Sequence, residues 1–404
     1  MSSGKSSKKI KKPAAITDAP LFSVIVLTFQ QRHLLEDCID SILQQTYPNI
    51  ELVICDDCSA DFDEEEVRRY IDANKEDNIK NVIVYKQPFN VGTTENAQKG
   101  VELSSGKYFK LHAGDDMLYN ETVLEKMAEK LRDKTVHLLA GRSIACQHDG
   151  TMTDHYYPSI QAVTEMINGD ARRQFELMGT QSWGEYINAP AVFWKRSFFD
   201  EIGGFDLRYK YTEDWPMWLK ITGAGYRITM IEELTTIYRY GGISNDASTM
   251  NLTLGKKHYE ESIDALESYA LKKFEAEGNR KKIMRCRQSI RCLKARIETE
   301  GEWDSWSGAE KMAWRFRNIR FLLVSWIYRK RMYGIDLPCQ NLYTLLGVCL
   351  VMFALHVQVW PGIVLDQIWA RGFMMLLLCV VLRKGTVKGI NMLNGILNAR
   401  RNHG

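Results

Sequence analysis

Between Leu21 and Ala113, short apolar runs alternate with stretches whose apolar residues recur three and four positions apart. LFSVIVLT (21–28), ELVIC (51–55), NVIVY (81–85) and KYFKLHA (107–113) are predicted strands, and His33 to Gln45, Glu64 to Ala73 and Thr94 to Leu103 are predicted crossover helices. Strand and helix in alternation make βα units, so the fold class expected is α/β, an open twisted mostly parallel sheet flanked by helices. From about Asn120 to Ile243 the alternation loosens into a helix over 122–132, a strand over 136–146 and a glycine-rich connection at Ile202-Gly203-Gly204-Phe205, still within one domain over 21–245.

Beyond that domain the pattern changes twice. Residues 246–332 are charged and helical in period, and they end in KMAWRFRNIRFLLVSWIYRKRM (311–332), where seven Lys or Arg and no acid are interleaved with aromatics. That composition predicts an amphipathic helix in a membrane interface, carried by Trp314, Arg315, Arg317, Arg320 and Trp326. Within 333–404, residues 342–359 lack any charge, and after Pro361-Gly362 a second apolar stretch over 363–382 carries Asp366 and Arg371. Cationic clusters at Arg329-Lys330-Arg331 and Arg383-Lys384 flank the pair, which under the positive-inside bias implies two crossings or none. A helical hairpin is the expectation, against a re-entrant anchor or a buried soluble helix pair. The first 20 residues form a basic tail with no apolar stretch of a secretory signal, read as disordered or as a polybasic segment drawn to anionic lipid.

Composition adds exclusions. With 45% hydrophobic and 25% charged residues, wholesale disorder, collagen and coiled coil are ruled out, and a net charge of +3 gives no mandate for a nucleic-acid partner. Nine irregularly spaced cysteines indicate neither a disulfide framework nor a zinc site, and a reducing compartment fits them. Cys55-Asp56-Asp57-Cys58 has redox spacing, but two acids between the thiols would raise their pKa values. P-loop, GxSxG and HExxH patterns are missing.

Candidate chemistry lies in three acidic pairs in or near loops after predicted strands: Asp56-Asp57, Asp115-Asp116 and Glu213-Asp214. In an open α/β sheet such loops converge on one crevice, where a divalent metal bridging a diphosphate would join the carboxylates. Each pair alone reads equally as a turn or helix cap.

In order along the chain, FSVIVLTFQQRHLLEDCIDSILQQTYPNIELVICDDCSAD (22–61), FNVGTTENAQKG and SGKYFKLHAGDD (89–116), and INAPAVFWKRSFFDEIGGFDLRYKYTEDWPMWLKITGAGYRI with IYRYGGIS (187–244) resemble the inverting family 2 nucleotide-sugar glycosyltransferases of GT-A fold. The resemblance covers about 21–245. It implies that Thr28 and Phe29 border the nucleotide base, that Asp57 bonds it with help from Asp56, that Asn90, Gly92, Asn96 and Asp115 complete the nucleotide-sugar site, and that Asp116 ligates Mg²⁺ or Mn²⁺ at the diphosphate. Asp214, beside Glu213, would be the base that takes a proton from an acceptor hydroxyl. The chain departs from the family pattern at Ala113, at Phe29-Gln30 and at Gly241, and Gln288 and Arg291 are followed by Cys292 rather than completing the QxxRW of processive synthases. His112 reads equally as a structural histidine, and Trp215 and Trp218 as core or as sugar platforms.

The resemblance and the apolar C-terminal region together imply a membrane-bound enzyme at the cytoplasmic face of the cell membrane. It would pass a sugar from a nucleotide-diphosphate donor, a UDP-sugar in the first instance, to a lipid-linked glycan of bacterial surface polysaccharide assembly. Self-association is left open. The alternatives are a catalytically weak membrane-tethered scaffold that binds nucleotide sugar, and a transferase with a soluble acceptor.

Overall fold

The computed structural model describes residues 19–180, 186–240, 252–299 and 305–318, all within one unit over Met1–Ser325. The first four apolar runs form β1 (Phe22–Thr28), β2 (Ile50–Asp56), β3 (Ile79–Lys86) and β4 (Tyr108–Ala113), joined by α1 (Arg32–Leu43), α2 (Glu64–Asn74) and α3 (Thr93–Leu103). These strands pair in parallel in the order β3-β2-β1-β4. The chain winds outward from β1 and then returns past it, and this reversal opens a crevice at the carboxyl ends of β1 and β4. Glu51, buried in β2, braces the whole half-sheet by accepting from Ser23 Oγ in β1 at 2.6 Å, Asn81 Nδ2 in β3 at 3.0 Å and the backbone N–H of Ser105 before β4 at 2.7 Å.

The second half adds β5 (Met117–Leu118), α4 (Val123–Leu131), β6 (Leu138–Cys146), β7 (Met152–Tyr157), α5 (Ile160–Ile167), α6 (Ala171–Gly179), β8 (Val192–Lys195), α7 (Arg196–Glu201), α8 (Asp214–Gly223) and β9 (Thr229–Arg239). The sheet continues β8-β6-β9-β5, with β7 on β6. Here the mostly parallel expectation is corrected: β4–β8, β8–β6, β6–β7 and β5–β9 are antiparallel and only β6–β9 is parallel, so the sheet is mixed. The physical reason is clearest between β6 and β7, where a turn closed by Gly150 N–H on the Gln147 carbonyl leaves no room for a crossover helix.

Two cores result. Phe22, Val24, Val26, Tyr108 and Phe193 pack one face of the sheet against Leu35 and Ile39 of α1 and Leu124 and Met127 of α4. On the other face Trp194 stacks on Phe109 at 5.9 Å and on Trp218 at 5.6 Å, which makes Trp218 a core residue rather than a sugar platform.

The described C-terminal part is helical: α9 (Leu252–Ala265), a π-helical turn over Leu266–Leu271, α10 (Lys272–Ala276), α11 (Arg280–Thr299) and α12 (Gly308–Arg317). Trp314, expected at a membrane interface, faces inward instead. It is buried against Cys292 and Ala295 of α11 and donates from Nε1 to Glu298 Oε2 at 3.1 Å, because an indole body with one N–H is satisfied by an apolar helix face with one carboxylate. Arg315 and Arg317 belong to α12. The basic tail over 1–18, Arg320, Trp326 and the apolar stretches over 342–382 lie outside the described residues. Among the described residues no helix is long and apolar enough to cross a membrane.

Candidate active site

The crevice is lined by the loops that leave β1, β2, β3 and β4. After β2, Asp57 turns toward the loop after β3 and accepts from Val91 N–H at 2.7 Å, Gly92 N–H at 2.9 Å and Asn90 Nδ2 at 2.8 Å, while its own N–H donates to the Thr28 carbonyl at 2.9 Å. Burial pushes Asp57 above the ordinary carboxylate range even so. Thr28, Asp57, Asn90 and Gly92 are thus brought together, with Phe29 next to them along the chain. Asp56 and Asn96, expected to touch the donor, are engaged by the protein: Asp56 accepts from the Ser59 N–H and Oγ, and Asn96 donates to the Cys55 carbonyl at 3.0 Å and accepts from Gln87. Both are buried braces, since a polar side chain under the sheet's edge must find its partners inside. Burial raises the Cys55 thiol to about 12, which removes the redox reading of the Cys55–Cys58 spacing.

After β4 the chain turns at Gly114, where an added Cβ would sit 2.9 Å from Thr28 Cβ. Asp115 and Asp116 follow, both buried. Asp115 accepts from Gln31 Nε2 at 2.9 Å. Asp116 Oδ1 accepts the Arg239 N–H at the end of β9 at 3.0 Å, and its Oδ2 has no hydrogen-bond partner among the described residues. Burial and then the charge of Asp115 hold Asp116 well above the usual range. The guanidinium of Arg239 pairs with Asp37 at 2.8 Å, and Lys110, buried beneath on β4, is lowered by burial to about 7 although Asp116 opposes the shift. Beside them His112 is buried with neither ring nitrogen hydrogen-bonded among the described residues, and it carries no role that the geometry supports.

An orphaned carboxylate oxygen is a hard donor, which suits Mg²⁺ or Mn²⁺. Among the described residues there is no group of three or more His, Cys, Asp or Glu able to hold a metal. Asp116 Oδ2 could supply one ligand to such a cation.

Glu213 and Asp214 stand at the start of α8, and Asp214 Oδ1 accepts the Trp215 N–H at 2.6 Å. Burial, then the charge of Asp214, raises Glu213 to about 8. Asp214 is raised by burial, which the nearby His258 opposes. The segment just before them reaches the loop after β3 through Lys210. Its carbonyl accepts the Thr94 N–H at 3.2 Å, its Nζ donates to the Asn90 carbonyl at 3.3 Å, and its chain crosses Gly92 so closely that an added Cβ would lie 2.7 Å from its carbonyl oxygen. Gln31, Lys210 and Arg239 were not among the residues expected from sequence. Their partners are 84, 120 and 123 positions away, which no local pattern encodes.

Residues 23–203 match the family model described as glycosyl transferase family 2. The matched stretch holds the loops of the crevice, while Glu213 and Asp214 lie beyond it. An uncharacterized glycosyltransferase of Rickettsia prowazekii is 27% identical over 208 residues, 50% of this chain, and the chain spans 58% of that relative's length. One of Rickettsia typhi is 24% identical over 339 residues, 81% of this chain and 96% of the relative. Among solved structures, Staphylococcus aureus TarS in complex with UDP covers 72% of this chain and is itself covered to 77%, with a TM-score of 0.46 and 17% identity.

Proposed function

We propose, from a chain whose residues 23–203 match the glycosyl transferase family 2 model, that it transfers a sugar from a nucleotide-diphosphate donor, a UDP-sugar in the first instance, to a hydroxyl with inversion at the anomeric carbon. The observation that supports this is the loop after β3, which Asp57 holds and Lys210 ties to the segment that leads into Glu213 and Asp214, together with the Asp116 Oδ2 after β4 that has no hydrogen-bond partner among the described residues.

Asp57 and its partners hold the loop against which the base rests, and Asp115 faces the ribose and sugar. Asp116 would hold Mg²⁺ or Mn²⁺ with Oδ2, and such a cation, when bound, offsets the charge of the departing diphosphate. Asp214 takes the acceptor's proton as the acceptor oxygen attacks from the face opposite the diphosphate. Glu213, raised to about 8, is protonated at neutral pH and spares Asp214 a second adjacent charge. The acceptor we propose is a lipid-linked glycan at the cytoplasmic face of the cell membrane, in bacterial surface polysaccharide assembly. The support is the uncharged run over 342–359 and the cations that flank the apolar pair.

The test is incubation of the full chain with Mn²⁺, a panel of nucleotide sugars and a native lipid extract, read by product mass spectrometry. Asp214→Asn is expected to lower transfer by ~10²–10⁴ with donor affinity within a few-fold. Transfer at the wild-type rate would reject Asp214 as the base.

A further inference from the structure

The segment that presents Glu213 and Asp214 is gripped from the side opposite the donor loop by α9, an element outside the matched domain. Three residues spaced three apart on that helix reach it. Glu261 accepts two successive backbone N–H groups, Lys210 at 2.8 Å on Oε1 and Tyr211 at 2.9 Å on Oε2. His258 Nδ1 shares a hydrogen bond of 2.9 Å with Thr212 Oγ1, and Asp264 accepts from Tyr209 Oη at 2.8 Å. Upstream, Asp206 accepts from Tyr269 Oη at 2.7 Å in the turn that follows α9. The grip is itself backed by α11, whose Arg296 donates to Tyr259 Oη at 3.0 Å.

We infer that Glu261 and His258 of α9 are positioning residues that aim Asp214 at the acceptor, by holding residues 210–212 between α9 and the first turn of α3. The inference rests on the reading of Asp214 as the base. The physical argument is that adjacent half-buried carboxylates repel each other and draw toward water, so their direction must be imposed by their neighbours. Two N–H groups on one carboxylate fix both translation and tilt of the segment that leads into α8. The same Lys210 whose N–H meets Glu261 offers its carbonyl to Thr94, so the base and the donor loop share one frame. The charged and titratable groups facing this corner are Glu213, Asp214, His258 and Glu261, with Lys210 and Lys257 over the Tyr211 ring.

The experiment uses the full chain and three variants, Glu261→Ala, Glu261→Gln and His258→Ala, beside Asp214→Asn, with hydrogen exchange over 206–218, donor titration and kcat against pH. Glu261→Ala is expected to speed exchange of the Lys210 and Tyr211 amides at least ~10-fold and to lower kcat ~10–100-fold with donor KM within ~3-fold, since sub-ångström misplacement of a base is felt in the chemical step. Glu261→Gln, which keeps one acceptor oxygen, should recover part of both. In His258→Ala the acid limb of kcat should move to higher pH, because the neighbour that opposes the upward shift of Asp214 is gone. Exchange unchanged in Glu261→Ala overturns the clamp, whatever the fate of the proposed reaction. Faster exchange with kcat intact, while Asp214→Asn inactivates, overturns the positioning role and leaves the reaction standing. Asp214→Asn that transfers normally overturns the base on which the inference depends.

Discussion

Glu213 and Asp214 are neighbours that water would keep ionised together, and the recess at the start of α8 separates their behaviour by raising Glu213 to about 8. The fold binds the Glu213 proton more tightly than the unfolded chain does. Its contribution to stability is therefore full below about pH 4 and declines as pH rises toward 8. Glu213→Gln, a neutral isostere, should remove that decline: melting measured from pH 5 to pH 9 should show the variant gaining on the wild type, by on the order of 1 kcal/mol at the alkaline end. A constant difference across the range would place the raised group elsewhere. At Asp116, Asn keeps one oxygen for the Arg239 N–H and removes the charge from the orphaned position. Asp116→Asn should melt at or above the wild-type temperature while losing about tenfold or more in Mn²⁺-dependent UDP affinity by calorimetry, since a neutral amide is a poor ligand for a hard cation. The acidic pairs themselves were legible in the sequence. The engagement of Asp56 and Asn96 by the protein was not, because Ser59 and the Cys55 carbonyl become their partners only once the loop is folded.

At the scale of elements, the half-sheet depends on one buried carboxylate in β2. Glu51 lies below its ordinary pKa although burial pushes it up, because Ser23, Ser105 and Asn81 outweigh the burial. Glu51→Ala leaves those donors unpaired across three segments and should cost about 2–4 kcal/mol in urea unfolding; a loss under ~0.5 kcal/mol would mean that water replaces the carboxylate. Stability supplied by Glu51 is present above the unfolded pKa and lost as pH falls through the lower folded one. Gly92 is the corresponding point between α3 and the segment that leads into α8: its φ of +94° and the crossing of Lys210 both exclude a side chain. Gly92→Ala should push Lys210 aside and depress kcat more than it depresses melting, by at least tenfold in rate. The βα alternation announced β1 to β4 and their helices to within a few residues. The antiparallel strands were illegible because direction is set by connection length and by partners found across the fold, not by any strand's own pattern.

Taken as a whole molecule, the chain divides into a described unit and a C-terminal region that only sequence addresses. Because Trp314 packs on α11, a truncation that spares the fold must end after Asn318, not before α12. A chain of residues 1–318 is expected to keep wild-type UDP affinity and to lose flotation with anionic liposomes, which the full chain should show; flotation by both, or by neither, would refute a lipid anchor within 319–404. What the sequence determined by itself was the class of the fold, the order of its first half and the three acidic pairs, because hydrophobic period and motif order are local properties of the chain. Only the tertiary structure decided that Asp56 is engaged by Ser59 while Asp116 keeps one oxygen without a hydrogen-bond partner among the described residues, that Trp314 is core, and that Lys210, Arg239 and Glu261 meet the loops that carry the acidic pairs. The last two come from contacts between residues 16 to 123 positions apart, whose strength depends on burial and charge at a meeting point that exists only in the folded chain.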